Sequence, residues 1–218
     1  MSKKRSLKDR IKSLESEKKI TCTSSDCKNG LHCFKPDLRK KVNNSAGKCR
    51  SCQVDAPFDW ERIHKCDSGD IEYIVAALKN ELIRKHYWTN EIPEKVQNYA
   101  RRKGTVKMKE AIEKRIRKYI APPEGKYDGR QTPGETSNQP NAVHFAQHGT
   151  ASCCRKCAEY WYGIPRDRHM TEAEIDYLTK LGMRYIGERF PLLTEGGEYI
   201  PPIRKKKSKK SEDRSNDD

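Results

Sequence analysis

The run Glu94-Lys-Val-Gln-Asn-Tyr-Ala-Arg-Arg-Lys-Gly-Thr-Val-Lys-Met-Lys-Glu-Ala-Ile-Glu-Lys-Arg-Ile-Arg-Lys-Tyr-Ile120 decides the fold class. Val96, Tyr99, Val106, Met108, Ile112, Ile116 and Ile120 recur at helical spacing, Pro93 stands where a helix can begin, and Pro122-Pro123 stops it. Gly104 sits where it would bend or split the helix. Between the apolar positions lie Arg101, Arg102, Lys103, Lys107, Lys109, Lys114, Arg115, Arg117 and Lys118. From Glu94 to Lys118 ten Lys/Arg face three Glu, a net +7. That density predicts a basic stripe able to track phosphates, with Arg101, Arg102, Lys103, Lys107, Lys114, Arg115 and Lys118 as the contacts. A solvated helix face is the other reading of the same charges.

Outward from this helix the chain has 218 residues, 46 Lys+Arg against 31 Asp+Glu and a formal net charge of +15, with 33% hydrophobic residues. That length suits one domain or two small ones. No stretch approaches the roughly 18 apolar residues of a membrane span, and the lysine-rich start lacks the apolar core of a signal peptide. The expectation is a cytoplasmic protein with no membrane partner. Residues 1–19 carry eight Lys/Arg and three acids, and residues 204–218 carry seven and four. Both ends are expected to be disordered basic tails, since they offer little or nothing apolar to bury.

Two further helices are predicted. One runs from Asp70 to about Trp88, with Ile71, Ile74, Val75, Leu78 and Leu82 on one face; the other opens at Thr171, where Thr171 and Glu174 form a capping box. The Pro-, Gly-, Ser- and Asn-rich stretch from Pro122 to Asn141 reads as a loop. The expected fold is mainly α with a small N-terminal zinc-ribbon-like module, α+β in class. Its divisions are a basic arm 1–19, the ribbon 20–68, a connecting helix 69–93, a helical domain 94–192 and a charged extension 193–218.

Nine cysteines in a chain without an export signal point to metal ligation or reactive thiols. The first group reads Cys22-x4-Cys27-x4-His32-Cys33, then Cys49-x2-Cys52. A Cys-x2-Cys turn presents two sulfurs that an earlier pair can complete into a zinc tetrahedron, and the stretch is too poor in apolar residues to fold unaided. Cys49 and Cys52 are the firmest ligands and Cys27 follows. Spacing leaves open which four of Cys22, Cys27, His32, Cys33, Cys49 and Cys52 close the site. His64 and Cys66 are expected to pack.

In the second group His144 and His148 precede Cys153, Cys154 and Cys157. His148 with Cys154 and Cys157 would give three ligands and an open corner, where a metal can activate water; buried thiols and a hydrogen-bonded core histidine are the alternative. An iron–sulfur cluster on the three cysteines and one more is a third reading.

The run Asp128-Gly-Arg-Gln-Thr-Pro133, then Ala146-Gln-His-Gly-Thr-Ala-Ser-Cys-Cys-Arg-Lys-Cys157, then Trp161-Tyr-Gly-Ile-Pro165 and the helix led by Thr171 resembles a bacterial family catalogued as domain of unknown function 4186, over roughly residues 95–190. The resemblance points at Asp128, Gln131, Thr132, Gln147, His148, Thr150, Cys153, Cys154, Arg155, Cys157 and Trp161. His144 departs from an apolar or aromatic position of the pattern, and Tyr162 stands where the pattern usually has His.

Two functional classes follow. In the first, a zinc-stabilised protein binds nucleic acid, DNA ahead of RNA, through the ribbon and the basic helix, leaving a surface open to protein partners. In the second, a metal-dependent hydrolase uses His148 as base or ligand, with Asp128, Gln131 and Arg155 near a scissile phosphate.

Overall fold

A computed structural model describes residues 20–35, 47–123, 132 and 140–201. The two charged ends, Asp128 and Gln131 lie outside the described residues.

Helices dominate. A short α1 (Trp60–His64) starts on Asp59, whose carboxylate accepts the N–H groups of Glu61 and Arg62. The expected helix from residue 70 to 88 is two helices, α2 (Ile71–Leu78) and α3 (Leu82–Thr89). The break has a tertiary cause. His32 N–H donates to Asn80 O, and Leu82 N–H donates to His32 O, so the backbone of the N-terminal segment replaces helical hydrogen bonds at residues 80–82. Then come α4 (Glu94–Arg115), a π turn over Ile116–Ile120, α5 (Ala142–Gly149), α6 (Arg155–Tyr162) and α7 (Glu172–Arg189). The capping box at Thr171 and Glu174 is formed.

The described part of the expected ribbon shows no sheet. Among the described residues only isolated pairs bridge, Asp26 with Leu31 and Lys48 with Asp55 antiparallel and His32 with Glu81 parallel. Tight turns organised around side chains take the place of a sheet, and the class is mainly α.

Helix α5 is the centre of the body. Ala142, Val143, His144, Phe145, Ala146, Gln147 and Gly149 are all buried, the mark of a helix covered on every side. It packs against α3, α4 and α7. A Cβ at Gly149 would lie 2.7 Å from the Tyr185 ring, so a glycine sets that approach. The buried row Met108, Ile112, Ile116 and Ile120 of α4 and its extension joins the same core as Leu178, Leu181 and Tyr185 of α7.

Gly104 splits α4 with φ 65° and ψ −179°, a conformation essentially confined to glycine. Residues 194–198 repair the break: Thr105 and Val106 N–H groups donate to Thr194 and Glu195 carbonyls, and Glu198 N–H donates to Arg101 O. Ala at Gly104 would place Cβ 2.2 Å from Gly197 N and 2.5 Å from Glu195 O, both backbone atoms. Gly104→Ala is therefore expected to cost at least about 1–2 kcal/mol from backbone conformation alone and to release residues 194–201. Limited proteolysis should then cut there; an unchanged cleavage pattern would contradict this role.

Candidate functional site

Four ligand atoms converge in the N-terminal segment. The Sγ atoms of Cys27, Cys49 and Cys52 and a ring nitrogen of His32 all lie within 4.8 Å of one another. Cys27 Sγ is 3.8 Å from Cys49 Sγ, and Cys52 Sγ is 3.4 Å from His32 Nδ1. Zinc–sulfur bonds of about 2.3 Å in a tetrahedron put sulfurs about 3.8 Å apart, so the set fits such an ion. Burial opposes ionisation of Cys49, but backbone donors at Cys52, Cys33 and Ser51 and the His32 ring outweigh it and bring its pKa down to about 6. Burial pushes the Cys27 thiol up to about 11, which only a bound cation would reverse.

Cys22 and Cys33, which spacing also offered as ligands, lie outside this group. Cys33 is buried and its S–H donates to Cys22 O at 3.4 Å. His32, one of six candidates in sequence, supplies the fourth atom because a tight turn, Asp26 to Leu31, folds the chain back beside the Cys49–Cys52 turn.

The segment does not stand apart from the helical body. Phe58 and Trp60 pack on Tyr160 and Trp161 of α6, with ring centroids 5.4 Å apart for Phe58–Trp161 and 5.2 Å for Trp60–Trp161, and Phe34 packs in turn on Phe58. Beneath them Glu81 and Arg84 form an ion pair, both 2% exposed. Glu81 accepts from Phe34 N–H at 3.0 Å, Trp161 Nε1 at 3.1 Å and Arg84 Nε at 3.3 Å. Burial raises its pKa, and Arg84 with the other donors opposes that rise. Arg84 spends its remaining donors on His148 O at 2.6 Å, Cys157 Sγ at 3.3 Å and Cys153 Sγ at 3.8 Å. One buried pair thus joins the N-terminal segment, the aromatic cluster and the second cysteine group. His64 and Cys66 pack, donating to or facing the Tyr160 and Tyr162 carbonyls.

That second group is Cys153, Cys154 and Cys157, all buried, with sulfurs within 4.8 Å of one another, and it too can hold a metal ion. Cys154 stands at the N-cap position of α6 without a capping hydrogen bond, and Cys157 lies in the first turn. Hydrogen bonds from Cys153 and Cys154 hold the Cys157 thiol well below its usual pKa against burial, helped by Arg84 and Lys35. His148 lies outside the set: its Nε2–H donates to Thr132 O at 2.8 Å, and its ring stacks on Tyr87 at 4.8 Å. Arg155 is 4% exposed and donates to the carbonyls of Ile120, Pro165 and Arg168, so its guanidinium ties the end of the α4 extension to the loop after α6. Among the described residues His148 and Arg155 engage different carbonyls, Thr132 for the one and Ile120, Pro165 and Arg168 for the other; Asp128 and Gln131, their expected companions, lie outside the described residues. The His144 ring, buried on α5, has its pKa lowered to about 4 by burial, the Arg115 charge and His148.

The basic stripe divides. Arg101 pairs with the Glu198 carboxylate at 2.7 Å, and Arg102 donates to Ile200 O and Pro201 O, so both hold the C-terminal segment. Lys103, Lys107, Lys114, Arg115 and Lys118 line a groove of about 420 Å³ with Tyr99 and Tyr119, and Glu110 is its one carboxylate. Lys103 lies over the Tyr99 ring at 5.2 Å; Arg115 and Lys118 lie over Tyr119 at 4.6 and 5.1 Å. Arg115, half-buried, donates from Nε to Gln147 Oε1 at 3.0 Å, and among the described residues no carboxylate pairs with it.

A family model described as Domain of unknown function (DUF4186) matches residues 72–187, more than half of the chain. The chain belongs to this family. The DUF4186 region begins further upstream than the Gln147–Cys157 motif suggests and takes in α3, so Glu81 and Arg84 are family-domain residues. The second cysteine group and the groove lie inside it; Cys27, His32, Cys49 and Cys52 precede it. No solved structure matches this DUF4186 protein. Among the described residues no helix is long and apolar enough to cross a membrane.

Sequence reading passed over Glu81, Arg84 and Lys35. Only the i,i+3 spacing of Glu81 and Arg84 on a helix start hinted at a pair, and that signal is common on solvated faces.

Proposed function

We propose that this is a zinc-stabilised protein that binds nucleic acid, DNA in the first instance, through the groove along α4. The observation that carries the reading is the gathering of Lys103, Lys107, Lys114, Arg115 and Lys118 around Tyr99 and Tyr119 with a single carboxylate among them. A row of cations along one helix follows a phosphate backbone, and interleaved aromatic rings offer faces on which unpaired bases stack without regard to sequence. Arg115 is the most committed of these groups. It is held by Gln147 of the central helix, and half-burial with no acidic partner among the described residues favours an anion beside it. The first metal centre has four protein ligands and leaves no corner for substrate, so zinc there is a structural ion.

Reversing Lys103, Lys107, Lys114 and Lys118 to Glu tests the groove. Each lost phosphate contact lowers the slope of log affinity against log salt by roughly 0.7–0.9, and affinity should fall at least roughly tenfold. Reversing Arg101 and Arg102 should instead loosen residues 198–201, since those guanidinium groups are engaged there. Equal losses of binding from the two sets would refute the assignment to the groove.

A further inference from the structure

The chain's nine cysteines fall into three sets. Cys27, Cys49 and Cys52 serve the first centre with His32, and Cys153, Cys154 and Cys157 form the buried second group. Of the remaining three, Cys33 and Cys66 each donate S–H to a backbone carbonyl, of Cys22 and of Tyr162, and so behave as protonated thiols. Cys22 differs. Its sulfur is the acceptor for the Lys35 ammonium at 3.7 Å. That same ammonium lies in the field of Cys157, Cys154 and Cys153, and Arg84 reaches the group from the other side, with Cys157 Sγ 3.3 Å from its guanidinium. Two cations therefore face sulfur in a site where Glu81 is the paired carboxylate. Three sulfurs within 4.8 Å of one another, with a guanidinium and an ammonium turned toward sulfur beside them, form the donor set of a thiolate metal centre whose outer cations offset ligand charge.

We propose that Cys153, Cys154 and Cys157 form a second, all-thiolate centre for a divalent soft metal of the zinc class, with Cys22, which lies outside their 4.8 Å group and is held beside Lys35, as the fourth sulfur that closes on the bound ion. Arg84 and Lys35 offset the charge of the four thiolates, so that with Glu81 and a divalent ion about one net negative charge remains. The segment 22–35 then gives Cys27 and His32 to the first ion and Cys22 to the second. The second ion ties that segment to the α6 helix start, which carries Cys154 and Cys157. This proposal stands apart from the nucleic-acid reading.

Metal analysis of the full chain should find two divalent ions per chain in the wild type and one in Cys154→Ser/Cys157→Ser. Cys22→Ser should release its second ion to a chromophoric chelator at least tenfold more readily, with Cys33→Ser unchanged. A wild type with one ion, a double variant that keeps both, or a Cys22→Ser variant that holds the second ion as wild type does would overturn the proposal. Because the double variant can fail to fold, cadmium-113 NMR of the cadmium-loaded wild type supplies an independent reading. Two resonances are expected, one typical of four sulfurs and one of three sulfurs and a nitrogen; the latter alone overturns the second centre. Iron with acid-labile sulfide in place of the second ion overturns it as well.

Discussion

Glu81→Ala is expected to be the most damaging single substitution in the helical body. It leaves Arg84 buried without its carboxylate, which costs about 3–5 kcal/mol when one partner of a buried pair is removed. The Trp161 Nε1–H and Phe34 N–H lose their acceptor as well, at about 1–3 kcal/mol for each buried donor left unpaired. These costs share one site and do not add in full, yet even the smaller figure is a large share of a typical stability of about 5–15 kcal/mol. Glu81→Gln keeps an oxygen for Phe34 or Trp161 while losing the charge, and should fall between wild type and Ala. Urea unfolding followed by tryptophan fluorescence measures both; a loss under about 1 kcal/mol for the alanine variant would show that the pair does not hold the two parts together.

Cys49→Ser/Cys52→Ser should have the other large effect. Structural zinc supplies about 10–16 kcal/mol of apparent binding free energy at neutral pH in small zinc-dependent folds, and the stretch around Cys27, His32, Cys49 and Cys52 has few apolar residues beyond Phe34 to replace it. One divalent ion should be lost, residues 20–35 and 47–58 should exchange their amide protons freely, and Trp161 should become accessible as Phe58 and Trp60 detach. Among the described residues all seven α-helices begin at or after Trp60, so far-ultraviolet circular dichroism should change little. Unchanged metal content with protected amides at residues 47–58 would contradict the four-ligand centre.

What could be read from sequence follows the range of the interactions concerned. The apolar period of α4, its division at Gly104 and the box at Thr171 and Glu174 are local and appear in the structure, except that Val106, just past the Gly104 break, is 54% exposed where the period put it on the buried face. The division of α2 from α3 is not local. It arises because residue 32 arrives from far upstream to pair with residues 80 and 82, which no helical period between 70 and 88 records. The described part of the expected ribbon shows no sheet for a related reason, since metal-ligand spacing constrains where sulfurs meet and says nothing about strands between them. Choosing His32 over its neighbour Cys33 depends on which side chain points toward the Cys49–Cys52 turn, a property of the fold. Arg101 and Arg102 looked like their lysine neighbours because Glu198, Ile200 and Pro201, their partners, lie about a hundred residues away. Glu81 and Arg84 were hidden by the same distance.

The most direct test of the nucleic-acid reading is photocrosslinking of the full chain to single-stranded DNA carrying photoreactive bases, with the joined peptides identified by mass spectrometry. Crosslinks are expected at Tyr99, Tyr119 and the peptides bearing Lys103, Lys107 and Lys114, which share one groove. Crosslinks confined to residues 1–19 and 204–218, with none on α4, would contradict the account.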